Sequence, residues 1–210
     1  MKKTNFFSSV VISIFVLGGV LHASTTNNVS QDIYVKENDA DGNQNSGDLA
    51  LMRAGGQSAQ FYLRFNYATA FENLSDAAIS LRLYNVNPTD ESFSITVTVY
   101  GLEDGSVGES FDETTMTWNN KPPFGTALFT QDVDIVPPTA VALMKFQSEA
   151  LADFVMASTN NIVSFAFVAT GGNSWKKLQF SPRTWVATPN KPSLITYEEE
   201  GSMGTLVVVQ

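Results

Sequence analysis

The chain has 210 residues, no cysteine, one histidine and 21 acidic against 12 basic residues, which gives a formal net charge of −9. The missing cysteine excludes disulfides. Removal of His22 with the N-terminal segment would also exclude Ser-His-Asp or Cys-His nucleophilic sites and zinc sites of His or Cys ligands. The acidic balance disfavours nucleic acid and anionic membranes as partners, because phosphate groups are bound by clustered Lys and Arg.

Residues 1–23 have the pattern of a secretory signal peptide. Lys2 and Lys3 supply its positive start, residues 10–21 its apolar stretch, and Ala23 a small residue at the cleavage point. The apolar stretch is shorter than the roughly 20 residues of a spanning helix, which favours cleavage over a retained membrane anchor. We therefore expect a protein that is secreted, extracellular or at the cell surface, with no membrane contact after cleavage.

A loop rich in oxygen atoms follows the first predicted strand. Carboxylate and amide oxygens at alternate positions around Gly42 are typical of a site for a hard cation, and they predict structural calcium. The loop is not an EF-hand, because Gln44 and Ala50 stand where that motif needs glycine and glutamate. An ordinary Asx-rich surface turn is the alternative. The predicted ligands are Asp39, Asp41, Asn43, Asn45 and Asp48, with Glu37 as a further candidate.

Short β-prone segments separated by Asn, Gly, Asp and Pro dominate residues 24–197, which we predict to form one all-β domain. Their number, and the scarcity of helical segments, favour an antiparallel β-sandwich or jelly roll. The predicted strands are residues 33–35, 61–65, 79–84, 93–100, 115–118, 162–168 and 194–197. Helical spacing of apolar residues over residues 142–157 predicts one helix at an edge of the sandwich.

Period-two alternation in three of these strands predicts a shared polar outer face, provided that the strands lie in one sheet. Tyrosine rings stack on sugar rings, and arginine pairs bidentately with carboxylates or sulfates, which suits an anionic polysaccharide. The alternative is that these side chains only pack across the sheet. The residues concerned are Tyr62, Arg64, Arg82, Tyr84 and Tyr100.

A second basic and aromatic group follows a Gly-Gly-Asn-Ser turn, where a loop tip is expected. It suits an anionic glycan, although either tryptophan could instead belong to the core. Its residues are Trp175, Lys176, Lys177, Arg183 and Trp185. Beyond it, residues 198–210 combine an acidic linker with the apolar residues 206–209, for which edge pairing, core packing and association with another chain all remain open.

The segment 111–123 (Phe-Asp-Glu-Thr-Thr-Met-Thr-Trp-Asn-Asn-Lys-Pro-Pro) is the most distinctive in the chain. It resembles the signature of the DNRLRE domains, which overlap family-96 carbohydrate-binding modules. Phe111 stands where the family has Trp, and Thr184 where it has an acid. We assign Trp118 to structure and Glu113 to bracing the turn. Further similar segments are residues 32–35, 45–47, 61–66, 78–84, 180–181 and 190–197.

The resemblance implies a secreted, non-catalytic β-sandwich that recognises polysaccharide. The alternative is a structural or adhesive sandwich that works through protein contacts. Catalysis by paired carboxylates is a weaker hypothesis, since acidic loops often contain such clusters, and a tyrosine-based lyase is not excluded by composition. The acidic residues close together in sequence are Asp104, Glu109, Asp112 and Glu113.

Overall fold

The computed structural model describes residues 23–45, 47–68, 70–71, 73–137, 141–184 and 191–198. In this part of the chain every strand pairing is antiparallel. The elements are β1 (Ala23–Lys36), a 3-10 helix (Glu37–Asp39), β2 (Leu49–Met52), β3 (Ala59–Asn66), β4 (Leu74–Asn87), β5 (Phe93–Leu102), β6 (Thr126–Ile135), β7 (Ala142–Gln147), α1 (Glu149–Met156), β8 (Ile162–Gly172), β9 (Lys177–Phe180) and β10 (Ser193–Glu198).

The strands form one continuous sheet that folds into two layers. The front layer contains residues 29–36 of β1, followed by β3, β8, β5 and β6. In the back layer, β7 pairs with one edge of β4, while β10 and β9 share the other. Residues 23–28 of β1 pair with β10, so β1 belongs to both layers. The predicted antiparallel β-sandwich is therefore confirmed.

The core lies between the layers and consists of the inward set of each alternating strand. Phe61, Leu63 and Phe65 of β3 are fully buried, as are the apolar residues of β4 that face them. The rings of Phe61 and Phe167 stack with centroids 4.6 Å apart, and Phe146 meets Phe167 edge-on at 5.2 Å. Burial of each such side chain contributes roughly 1.5–3 kcal/mol, which is how a chain without disulfides is held together.

The helix predicted over residues 142–157 is wrong in its first half. Residues 142–147 are β7, which pairs with residues 78–83 of β4, and Phe146 points into the core from this strand. α1 begins only after Ser148, whose Oγ accepts a hydrogen bond from the Leu151 backbone N–H at 3.1 Å. Phe146 has helical spacing to Ala150 by coincidence, because Phe146 belongs to β7 and Ala150 to α1. α1 packs against β4 and β6.

Residues 103–125, between β5 and β6, fold over the outer side of the front layer; we call them the covering loop. They form turns, so the strand predicted over residues 115–118 is wrong. Phe111 and Met116 point from the loop onto Tyr62, in a second hydrophobic cluster. Asn120 maintains the turn, because its Oδ1 accepts from the Thr117 N–H at 2.6 Å and its Nδ2 donates to a backbone carbonyl.

Several sequence predictions lie outside the described residues: the signal segment 1–22, Trp185, and all of the tail after Glu198. Among the residues that are described, no helix has the length and apolar character needed to cross a bilayer.

Candidate functional site

The outer side of the back layer carries polar side chains from β4 and β9. Arg82 and Tyr84 alternate with the buried Leu81 and Leu83, and Lys177 precedes the buried Leu178. Alternation therefore places these three polar side chains on the outside, each of them half-buried. We define the back face as the surface formed by Arg82, Tyr84, Lys177, Gln179 and Asp48.

The centre of the back face is ordered by hydrogen bonds. Gln179 Nε2 donates to the Asp48 carboxylate and to the Tyr84 hydroxyl, the latter at 3.3 Å, while Gln179 Oε1 accepts from Asn85 Nδ2 at 2.8 Å. Burial, followed by the hydrogen bond to Asp48 and its charge, raises the pKa of Tyr84. The Tyr84 ring is thus held in place and stays neutral at physiological pH.

The back face carries two cations, Arg82 and Lys177. Neither Arg82 nor Lys177 makes a side-chain hydrogen bond or ion pair with any residue that the structure describes. In register, Lys177 lies opposite Asn87 of β4, five residues along that strand from Arg82. At about 3.4 Å per residue the two positions are roughly 17 Å apart along the strand. This arrangement leaves two separated positive charges facing solvent.

Trp175 lies two residues before the start of β9 and is 57% exposed. Its backbone φ is 65°, a left-handed conformation that bulky residues rarely adopt, and its N–H donates to the Arg53 carbonyl at 3.0 Å. Neighbouring Lys176 is engaged differently, since its Nζ pairs with Glu91 and lies 5.9 Å from the centroid of the Phe93 ring. Strain at an exposed aromatic residue is typical of functional positions.

Arg183 does not belong with Trp175, because β9 lies between the two residues. Its backbone N–H donates to Asp32 Oδ2 at 2.6 Å, its Nε lies 3.3 Å from Asp32 Oδ1, and its Nη2 pairs with Glu113. Asp32 is buried, and this burial raises its pKa to about 6 against the opposing effect of Arg183. Arg183 therefore holds β1 and the covering loop together and is not part of an open basic patch.

The remaining predicted contact residues lie on the front layer, so the single face predicted for all five is wrong. Tyr62 is fully buried beneath the covering loop. Arg64 Nη1 donates to the Phe111 carbonyl at 3.0 Å, so the Arg64 side chain is bound to the same loop. Tyr100 is half-buried and stacks on Phe124. Alternation correctly predicted that these side chains point away from the core, but not that a loop would cover two of them.

The family of this chain follows from its sequence and agrees with this fold. The model of carbohydrate-binding module family 96 matches residues 23–197, which include every strand described above except the last residue of β10. The chain belongs to carbohydrate-binding module family 96. The predicted resemblance is confirmed, and it identifies carbohydrate as the partner. No curated protein matches the chain. Modules of this kind are typically extracellular.

Residues 111–123, the distinctive segment of the sequence, attach the covering loop to the rest of the module. Glu113 accepts a hydrogen bond from the Asp32 N–H at 3.0 Å and pairs with Arg183. Asn119 Nδ2 donates to Asp41 Oδ1 at 2.8 Å. Lys121 Nζ lies 3.8 Å from the centroid of the half-buried Trp118 ring. Trp118 packs against the second hydrophobic cluster, as its assignment to structure requires.

The oxygen-rich loop of the module contacts this same segment. Asn43 Nδ2 donates to the backbone carbonyls of Glu113 and Met116 at 2.9 and 2.8 Å, and Asn43 Oδ1 accepts from the Asn45 N–H. Asp39 Oδ2 accepts from Gln44 Nε2 at 2.6 Å. Among the described residues, no three acidic or histidine side chains converge as a metal site would require. Structural calcium at Asp39, Asp41, Asn43, Asn45 and Asp48 stays a prediction.

Proposed function

We propose that this module binds an anionic polysaccharide, rich in uronic acid or sulfate, across its back face and without chemistry. The observation that carries the proposal is that Arg82 and Lys177 have no side-chain partner among the described residues, in a protein of net charge −9. Most of the acidic surface would repel such a polymer, so binding requires a local positive site. The family supplies carbohydrate as the ligand class.

Each residue of the back face has a distinct part in this proposal. The Arg82 guanidinium pairs with a carboxylate or sulfate through two parallel hydrogen bonds. Lys177 contacts a second anionic group farther along the polymer, and the exposed Trp175 ring stacks on a sugar at that end. Tyr84, fixed by Gln179 and Asp48, lies along β4 between the positions of the two charges. The spacing of roughly 17 Å suits several consecutive sugar units.

The four carboxylates that are candidates for catalysis have structural partners, which supports a purely binding role. Glu109 is buried and accepts from the Gly105 N–H and from Asn160 Nδ2, at 2.9 and 2.7 Å. Asp104 accepts from Thr159, Asp112 from Thr114, and Glu113 pairs with Arg183. All four stabilise turns or the covering loop. Incubation with polysaccharides should produce no new reducing ends, and their appearance would contradict the proposal.

The decisive experiment is the double substitution Arg82→Ala with Lys177→Ala. Affinity electrophoresis through gels containing polygalacturonate or a sulfated galactan should show binding weakened about ten- to a hundredfold. Retardation of the wild type should fall as salt is raised, since exposed charges are screened. The melting temperature should stay unchanged, because neither side chain has a partner among the described residues.

The control for charge is Lys36→Ala combined with Lys191→Ala, which removes the same number of positive charges from residues that do not belong to the back face. This control should bind as the wild type does. Equal weakening in both double variants would show a general charge effect and contradict a site on the back face. We also propose secretion after cleavage near Ala23, and a released protein that still carries residues 6–20 would contradict it.

A second candidate function, assembly through protein contacts, is favoured by one observation. Three exposed apolar residues lie at the edge formed by β6 and β7: Val136, Val141 and Leu143, at 71, 53 and 61% exposure. Exposed edge strands can pair with another chain. This candidate predicts concentration-dependent association in sedimentation velocity, abolished by Leu143→Lys. A wild type that stays monomeric at all concentrations would eliminate it.

A further inference from the structure

The front layer presents a second surface with different chemistry, beside the covering loop. Phe124 stacks on Tyr100 with ring centroids 4.8 Å apart and an interplanar angle of 17°. Tyr100 covers one face of the Phe124 ring, yet Phe124 remains 41% exposed, so its other side meets solvent. Tyr100 belongs to β5, and Phe124 is the penultimate residue of the covering loop. The result is a fixed aromatic platform at the surface.

A row of hydroxyl groups lies beside this platform on three neighbouring strands. Thr98 of β5 is two residues from Tyr100, about 7 Å along the strand, and points the same way. Thr98 Oγ1 is 3.0 Å from Thr130 Oγ1 of β6 and 2.7 Å from Thr170 Oγ1 of β8. Thr130 and Thr170 are exposed. Each hydroxyl has one donor and two acceptor sites, so the row retains hydrogen-bonding capacity toward solvent.

The charge of this surface separates it from the back face. Thr96 Oγ1 donates to Asp132 Oδ1 at 2.7 Å, which leaves Asp132 Oδ2 to accept further hydrogen bonds. Asp134 is exposed two residues farther along β6. We define the front strip as Phe124, Tyr100, Thr98, Thr130, Thr170 and Asp132. It contains a carboxylate and no cation, so it repels uronic and sulfated sugars and accepts hydrogen bonds from sugar hydroxyls.

We propose that the front strip is a second binding site, for an uncharged polysaccharide. Phe124 stacks on one sugar ring, while the threonine hydroxyls and Asp132 hydrogen-bond the hydroxyls of the following sugars. The site lies on the opposite side of the sandwich from Arg82 and Lys177, so both sites can be occupied together. The module then joins a neutral polymer to an anionic one. The front strip shares no residue with the back face, so its binding of a neutral polymer does not depend on the function of the back face.

The test uses Phe124→Ala in affinity electrophoresis with two neutral polymers, hydroxyethyl cellulose and a galactomannan, and with polygalacturonate as the anionic probe. The wild type should be retarded by at least one neutral polymer. Phe124→Ala should weaken that binding about tenfold, as loss of an exposed aromatic anchor does. It should leave retardation by polygalacturonate unchanged, whereas Arg82→Ala should leave the neutral binding unchanged.

A second variant controls for a folding defect in the Phe124→Ala protein. Thr130→Val keeps the branched shape on an exposed strand position and removes one hydroxyl, so its melting temperature should match that of the wild type. It should weaken neutral binding and spare anionic binding. A wild type that neither neutral polymer retards, or a Phe124→Ala protein retarded as the wild type is, overturns the proposal. Loss of neutral binding in Arg82→Ala would also overturn it, because a single site would then serve both polymers.

Discussion

At the scale of single residues, Asp32 shows how a buried carboxylate affects stability. Its folded-state pKa is about 6 and its ordinary value 3.8, because burial outweighs the nearby Arg183. Between these pH values the folded protein binds more protons than the unfolded chain. The free energy of unfolding therefore falls as pH rises from about 4 to about 6, and this group has no further effect above that range.

The Asp32→Asn variant isolates this effect. The unfolding free energy of the wild type minus that of the variant should decrease by about 2 kcal/mol from pH 4 to pH 7, measured by urea denaturation. A difference that instead grows with pH would mean that the Arg183 charge dominates and that the Asp32 pKa is lowered.

Trp175 is a residue at which stability and binding should separate. Its left-handed backbone is unfavourable for a bulky side chain, and most of the ring faces solvent. Asparagine tolerates this conformation, so Trp175→Asn should leave the free energy of unfolding unchanged or raise it by up to about 1 kcal/mol. Affinity for polygalacturonate should fall. A variant that unfolds more easily but binds normally would assign Trp175 to structure alone.

At the scale of elements, the covering loop depends on Glu113. This side chain joins the loop to Asp32 of β1 and to Arg183. Glu113→Ala leaves Arg183 and the Asp32 backbone N–H without that partner and should lower the free energy of unfolding by about 2–4 kcal/mol. Amide hydrogen exchange should accelerate within residues 103–125 first. Unchanged exchange there would contradict the anchoring role.

The oxygen-rich loop gives an independent prediction. If calcium binds at Asp39, Asp41 and their neighbours, excess EDTA should lower the melting temperature and added calcium should restore it, by an amount that grows with calcium concentration. Identical melting curves would leave the hydrogen bonds to the covering loop as the sole support of this segment.

Local patterns predicted some of these elements and missed others for physical reasons. Alternation of apolar and polar residues correctly predicted which residues of β3 and β4 point inward, because a period of two follows from strand geometry itself. It could not show that Tyr62 lies beneath a loop forty or more residues later in the chain. Helical spacing linked Phe146 to Ala150 although a strand ends between them. Threonine-rich residues 115–118 form turns because Asn120 hydrogen-bonds their backbone.

At the scale of the whole molecule, the sandwich separates two kinds of surface. The family signature anchors a loop over the front layer, while the back face presents two cations, Arg82 and Lys177, that have no side-chain partner among the described residues. The sequence alone does not distinguish these surfaces, because Arg64, Arg82 and Arg183 are the same residue type and differ only in their partners. Arg64 and Arg183 are committed to the covering loop, and Arg82 alone of the three has no partner among the described residues.

The central claim is that an anionic polysaccharide occupies the back face. An NMR titration of the isotope-labelled protein with an oligogalacturonide tests it most directly, because it reports every residue at once. We predict chemical-shift changes that cluster at Arg82, Tyr84, Lys177 and Trp175 and that disappear in the Arg82→Ala, Lys177→Ala protein. Changes confined to the covering loop or the front strip, or no changes at millimolar ligand, would contradict it.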